Sequence, residues 1–165
     1  MRHFYLAAVS IHILAAIVWL GGIFFLGLVG APTLRGVDPP ALRARLFSEI
    51  GRRFRALGWG LIAVLLITGV AILALRGLLR VEVLTSSAFW GSAMGVALAW
   101  KLVAVTAMIG VSALHDFGFG PAATRLDPQS PEGARVRRIA VRLARVTGVL
   151  GVIVVLAAVR LARGG

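Results

Sequence analysis

The sequence predicts an all-α fold: an integral membrane four-helix up-and-down bundle with an amphipathic interfacial helix in the first cytoplasmic loop. Of its 165 residues, 59% are apolar, and the mean hydropathy is +0.95. Four separate stretches each supply the roughly 20 mostly apolar residues that a membrane-spanning helix needs. The connections are too short for a soluble domain of ordinary size. We therefore expect residues 1–165 to form one transmembrane domain, with any chemistry inside the bundle or at its rims.

The four predicted spans cover about residues 5–30, 57–78, 88–115 and 143–161. The first apolar run is about twice the length of a secretory signal core, so we interpret it as a retained helix. In the first connection, Asp38 is expected to cap a helix whose apolar residues fall at helical spacing, which predicts an interfacial helix over about 39–55. Ser130 and Pro131 are typical of a helix start, so the fourth helix is expected to begin before the membrane. The stretch "GFGP", residues 118–121, is expected to end the third helix.

The arginines lie on two sides of the predicted bundle in unequal numbers. Twelve occur in the two long connections: Arg35, Arg43, Arg45, Arg52, Arg53, Arg55, Arg125, Arg135, Arg137, Arg138, Arg142 and Arg145. Only Arg2, Arg76, Arg80, Arg160 and Arg163 fall on the other side. By the positive-inside rule, this places the protein in the cytoplasmic (inner) membrane with both termini outside. We therefore attribute the net charge of +12 to arginines that set the membrane topology and contact the headgroups of the lipid bilayer. Nucleic acid is not an expected partner, because the arginines lack interleaved aromatic residues.

Ionisable residues inside predicted spans are costly, and they are candidates for function. His12 shares a helix face with Trp19, seven residues later. A stripe on the third helix repeats every seven residues: Met94, Lys101, Met108 and His115. His12 could be a cofactor ligand or a packed histidine, and Lys101 could be functional or could snorkel to the interface. A metal-bound His12 would need a hydrogen bond at its other ring nitrogen, for which the candidates are the hydroxyls of Ser10, Thr68, Thr106 and Thr147.

Cysteine is absent, so the metal-ligating candidates are His12, Met94, Met108 and His115. The methionines could equally be core residues that fill gaps between helices. His115 stands next to Asp116 and could simply pair with it at the inner end. Because a helix rises 1.5 Å per residue, His12 and His115 should be more than about 20 Å apart. The two histidines are therefore not expected to share one metal ion.

Several motifs together resemble the copper resistance D family. They are "HILAAIVWLGGIFF" with a following "AP", "GRRF" before "LLITG", "WKL", and "ALHDFGFGP". This resemblance covers nearly the whole chain and implies a stand-alone four-helix unit that handles copper at the cytoplasmic membrane.

The first helix also resembles that of the J-type protoporphyrinogen oxidase family. That resemblance implies b-type haem at His12, with Trp19 beside it, and a propionate or porphyrin substrate at Lys101. A third alternative is an accessory subunit of a homo-oligomer or of a larger membrane complex, which would need no site. The sequence leaves open whether the protein is an enzyme.

Overall fold

The computed structural model describes residues 2–127 and 129–163, and this part of the chain contains helices and turns but no strand. Four helical spans are long and apolar enough to cross a membrane: Arg2–Arg35, Pro40–Leu75, Ala93–Arg125 and Pro131–Ala162. The predicted all-α, four-helix membrane fold is thus confirmed. The individual elements are α1 (Arg2–Phe25), a π-helical turn (Leu26–Gly30), α2 (Ala31–Arg35), α3 (Pro40–Leu75), α4 (Val81–Leu84), α5 (Ser87–Gly91), α6 (Ala93–Ala113), a second π-helical turn (Leu114–Phe119), α7 (Gly120–Arg125) and α8 (Pro131–Ala162).

Residues 40–55 do not form a helix of their own. They are the first part of α3, which continues without a break to Leu75, so the predicted boundary near residue 56 is not present. Gly58 could have interrupted the helix, but it is buried against the indole of Trp19. The helix begins after Pro39, and no side chain caps it there, so Asp38 does not play the capping role expected of it. Whether residues 40–55 lie on the leaflet surface stays a prediction.

The "GFGP" stretch does not end the third span. Helical structure continues through a π-helical turn, Leu114–Phe119, into α7 and ends at Arg125. Pro121 lies in the first turn of α7 and has no N–H to donate to the preceding turn. At its other end the span is interrupted at Ser92, whose hydroxyl accepts a hydrogen bond from the Gly95 N–H at 3.1 Å. The third span therefore reaches further into the arginine-rich end than the sequence predicted.

The fourth span begins in the arginine-rich connection. The Ser130 hydroxyl accepts a hydrogen bond from the Gly133 N–H at 3.0 Å, and Pro131 occupies the first turn. The expected cap is therefore present. The helix then runs for 32 residues to Ala162.

The bundle consists of two helical hairpins. Helix α1 packs along α3, α6 packs along α8, and the hairpins meet through α1 and α8. A close approach occurs at Gly151, where a Cβ would lie 2.7 Å from Leu20 Cδ1 and 3.2 Å from the Trp19 ring. The backbones of α3 and α6 stand further apart and meet through side chains, among them Ile62 and Met108. This leaves room between the hairpins for larger or polar side chains.

The arginine distribution makes a prediction about topology. Alkaline phosphatase fused after Arg163 should be active, and green fluorescent protein fused at the same point should be dark, because the carboxyl end is expected outside. Fusions after Asp127, in the second long connection, should give the opposite results. A dark phosphatase fusion with a bright fluorescent fusion after Arg163 would contradict this orientation.

Candidate functional site

His12 is held at one ring nitrogen by a hydroxyl from the neighbouring helix. Its Nδ1 lies 2.8 Å from Thr68 Oγ1. The Thr68 hydroxyl donates its single proton to the Val64 carbonyl at 2.6 Å, so toward His12 it can only accept. The hydrogen bonds therefore place a proton on Nδ1 and leave Nε2 of the neutral ring with a free lone pair. Such an arrangement is typical of metal-ligating histidines.

The His12 ring packs against α3 and is influenced by a charge on α6. The ring lies against the backbone of α3, where a Cβ on Gly69 would be 3.5 Å from its Cε1 atom. Lys101 on α6 is partly buried and is close enough to interact electrostatically with His12. His12 and Thr68 thus join α1 to α3 through a polar contact, and Lys101 of α6 adds a charge that acts on the same histidine.

Trp19 and Met108 lie in the core of the bundle. Each is only 5% exposed, and both belong to one packed cluster with Ile62. Trp19 also faces the bare backbones of Gly58 and Gly151. Its surroundings are therefore those of a packing residue, while Met108 places a thioether in the centre of the core.

Two other members of the stripe, Met94 and His115, lie outside this core cluster. Met94 packs in a second cluster with Leu98 and Leu161, and His115 lies in the second π-helical turn at the arginine-rich end. The stripe therefore extends along the bundle, and the structure does not bring its members to one point. Within the described ranges, no group of three or more His, Cys, Asp or Glu side chains could hold a metal ion.

His115 belongs to a small polar network. Its Nδ1 lies 2.9 Å from Asp116 Oδ1, and the other carboxylate oxygen accepts the indole N–H of Trp59 at 2.9 Å. Arg55 donates to the Asp116 carbonyl at 2.9 Å. Since a carboxylate only accepts, Nδ1 of His115 donates, and in the described part of the structure Nε2 has no hydrogen bond. His115 therefore has the same bonding pattern as His12, with a carboxylate in place of the hydroxyl.

The sequence identified some of these residues and missed others. Thr68 was one of four hydroxyl candidates, and the His115–Asp116 pair was expected. The roles of Arg55 and Trp59 were not, because each contacts Asp116 across about 60 residues of chain. The one available signal was that Trp59 follows an arginine-rich segment, where interfacial tryptophans are common. Two buried hydroxyls, Ser112 and Thr147, have no hydrogen-bond partner in the described part of the structure.

Comparisons with known proteins agree with the first of the two resemblances. The family model for copper resistance protein D matches residues 48–161, which is more than half of the chain. Thr68, Lys101 and His115 lie inside the match, and His12 precedes it. These comparisons give no support to the expected similarity with the J-type protoporphyrinogen oxidases.

A search of curated proteins found an uncharacterized protein of Aquifex aeolicus (strain VF5) that is 41% identical over 61 residues. This match covers 36% of the present chain and 41% of the Aquifex protein. No solved structure matches the chain. The family match, the four apolar spans and the helical bundle together lead to one conclusion: the chain belongs to the copper resistance protein D family.

Proposed function

We propose that this protein carries copper ions through the cytoplasmic membrane, with His12 and His115 as ligands at two successive levels of the bundle. The observation that carries the proposal is the shared bonding pattern of the two histidines. Each holds its Nδ1 in a hydrogen bond and offers Nε2 to a ligand, as metal-binding histidines do. Membership of the copper resistance protein D family supports copper as the ion.

Met108 provides a soft donor between the two levels. It is seven residues from Lys101, which interacts electrostatically with His12, and seven residues from His115, so each step along the helix is about 10 Å. Thioether and imidazole groups suit copper, and the thioether favours Cu(I). Met108 is buried in the core, away from competing water. The ion would therefore move along the stripe of α6 from His12 past Met108 to His115.

The ligands His12, Met108 and His115 suit a transported ion better than a permanently bound metal centre. In the described ranges, no three His, Cys, Asp or Glu side chains gather at one point. Weak sites at several levels allow an ion both to bind and to leave, as conduction requires. Copper is therefore the cargo in this proposal.

Lys101 adds a preference for a singly charged ion. When protonated, its ammonium group repels a cation bound at His12, and this repulsion is twice as large for a divalent ion because Coulomb energy scales with the product of the charges. Cu(I) at His12 is therefore disfavoured less than Cu(II) or Zn(II). The charge of Lys101 and the thioether of Met108 therefore both favour Cu(I).

The proposal predicts transport defects that depend on these ligands. In proteoliposomes, His12→Ala and His115→Ala should each lower the rate of Cu(I) uptake at least about tenfold, as is common when a metal site is disrupted. Met108→Leu, which nearly preserves volume, should also lower the rate. His3→Ala is a matched control, since His3 lies on the same helix as His12 but is exposed.

Two results would contradict the proposal. Uptake at the wild-type rate in all three ligand variants would show that copper does not use this route. A Soret band in the purified wild-type protein that His12→Ala removes would assign His12 to haem, with Lys101 near a propionate, and would exclude it as a copper ligand.

A further inference from the structure

A cavity lies at the arginine-rich end of the bundle, separate from the His12 site. Its volume is about 630 Å³, which falls in the range of about 300–1,000 Å³ that is common for small-molecule sites. Arg55 of α3, the second π-helical turn, α7 and the first turns of α8 form its walls. The two arginine-rich connections thus meet around one concave surface.

The cavity carries both signs of charge. Arg55 and Arg125 line it with guanidinium groups, and Asp116 and Glu132 line it with carboxylates. Asp116 is already engaged by His115 and Trp59. In the described ranges, Glu49 pairs with Arg52 and Arg53, and the other close acid–base contact is His115 with Asp116. Neither Arg125 nor Glu132 is in such a pair. An arginine and a glutamate therefore remain available to a ligand of mixed charge.

One wall of the cavity is apolar and aromatic. Phe117 lines it with 65% of its surface exposed, and its ring centroid is 5.3 Å from that of Trp59. Pro121 and Val136 continue this wall. Aromatic rings beside charged groups are typical of the membrane–water interface, so the cavity suits an amphiphile with a polar head and apolar chains.

We propose that this cavity binds the headgroup of phosphatidylethanolamine from the adjacent leaflet. Arginine is suited to phosphate because its planar guanidinium can donate two hydrogen bonds at once. This assigns the phosphate to Arg125 and to those N–H groups of Arg55 that do not bond to the Asp116 carbonyl. The ammonium group of the lipid lies at Glu132, and an acyl chain lies along Phe117. A purely anionic headgroup would find the same arginines but would be repelled by Glu132. The charge pattern therefore selects a zwitterionic headgroup with a free ammonium.

Lipid binding to the purified full chain in detergent tests this assignment. Phosphatidylethanolamine and phosphatidylglycerol with identical acyl chains are titrated by native mass spectrometry. We expect wild-type protein to bind phosphatidylethanolamine about tenfold more tightly. Glu132→Gln should remove that preference by weakening phosphatidylethanolamine and strengthening phosphatidylglycerol. Arg125→Gln should weaken both lipids.

Matched controls come from the opposite end of the bundle, where Arg80→Gln and Glu82→Gln change exposed residues of the same types. Both should leave lipid binding unchanged. Equal affinity for the two lipids in wild-type protein, or a preference that persists in Glu132→Gln, would overturn the proposal. Soluble phosphoethanolamine or inorganic phosphate that binds as tightly as the lipid would show a soluble ligand instead of a membrane lipid, and would equally overturn it.

Discussion

Trp19→Ala is expected to lower the free energy of unfolding by about 3 kcal/mol. This is the low end of the cost of about 3–5 kcal/mol for removing a large aromatic side chain from a core. The low end applies because lipid is as apolar as the core, so the loss comes from packing and the cavity. Trp19 is 5% exposed and fills the space between Gly58 of α3 and Gly151 of α8. The cavity left by its removal cannot close unless these two helices move.

Trp100→Ala is the matched control for this experiment. Trp100 is 68% exposed on the lipid-facing side of α6, so its removal opens no cavity. Unfolding in detergent micelles, followed by circular dichroism, compares the two variants. Equal destabilisation by both substitutions would show that Trp19 does not hold the helices together.

Thr68→Val is expected to lower the affinity for Cu(I) by about 10- to 100-fold, the usual cost of removing a hydrogen bond that orients a metal-ligating histidine. Valine has nearly the shape of threonine but cannot accept the Nδ1–H of His12. The ring then loses its fixed orientation and proton position, and its Nδ1–H stays partly buried without a partner. Isothermal titration of the purified protein with Cu(I) measures the change.

Thr68→Ser separates the hydrogen bond from the packing. Serine keeps the hydroxyl and loses only a methyl group, so it should retain an affinity within a few-fold of wild type. The copper role of His12 would be contradicted if Thr68→Val bound Cu(I) as tightly as wild type. A loss in Thr68→Ser as large as that in Thr68→Val would instead assign the effect to packing.

Local patterns in the sequence account for the number and type of the spans. Hydropathy over about 20 residues is a property of the segment itself, so four spans were predictable without knowledge of their neighbours. The start of α8 was also predictable, because Ser130 and Pro131 act within one turn of the helix. His12 stood out as a candidate because an ionisable side chain in an apolar span is costly wherever the helix packs.

Helix continuity depended on tertiary contacts. The third span continues past "GFGP" through a π-helical turn, which places Asp116 within reach of Trp59 on α3. Helix α3 continues through Gly58, whose missing side chain is compensated by the packed Trp19 ring. Helix propensity alone predicts that these glycines and prolines end a helix. Propensity does not include the packing energy that stabilises the helix around them.

The sequence by itself determined an all-helical membrane protein with one histidine, His12, inside its first predicted span and a stripe of Met, Lys and His on its third. Only the tertiary structure decided which of those residues meet. His12 bonds to Thr68, 56 positions away, and lies near Lys101, whereas Met94 and His115 lie at other levels of the bundle. The physical reason is that periodicity fixes the face on which a side chain lies, but the partner of that face depends on how the helices are paired and on which small residues let them approach.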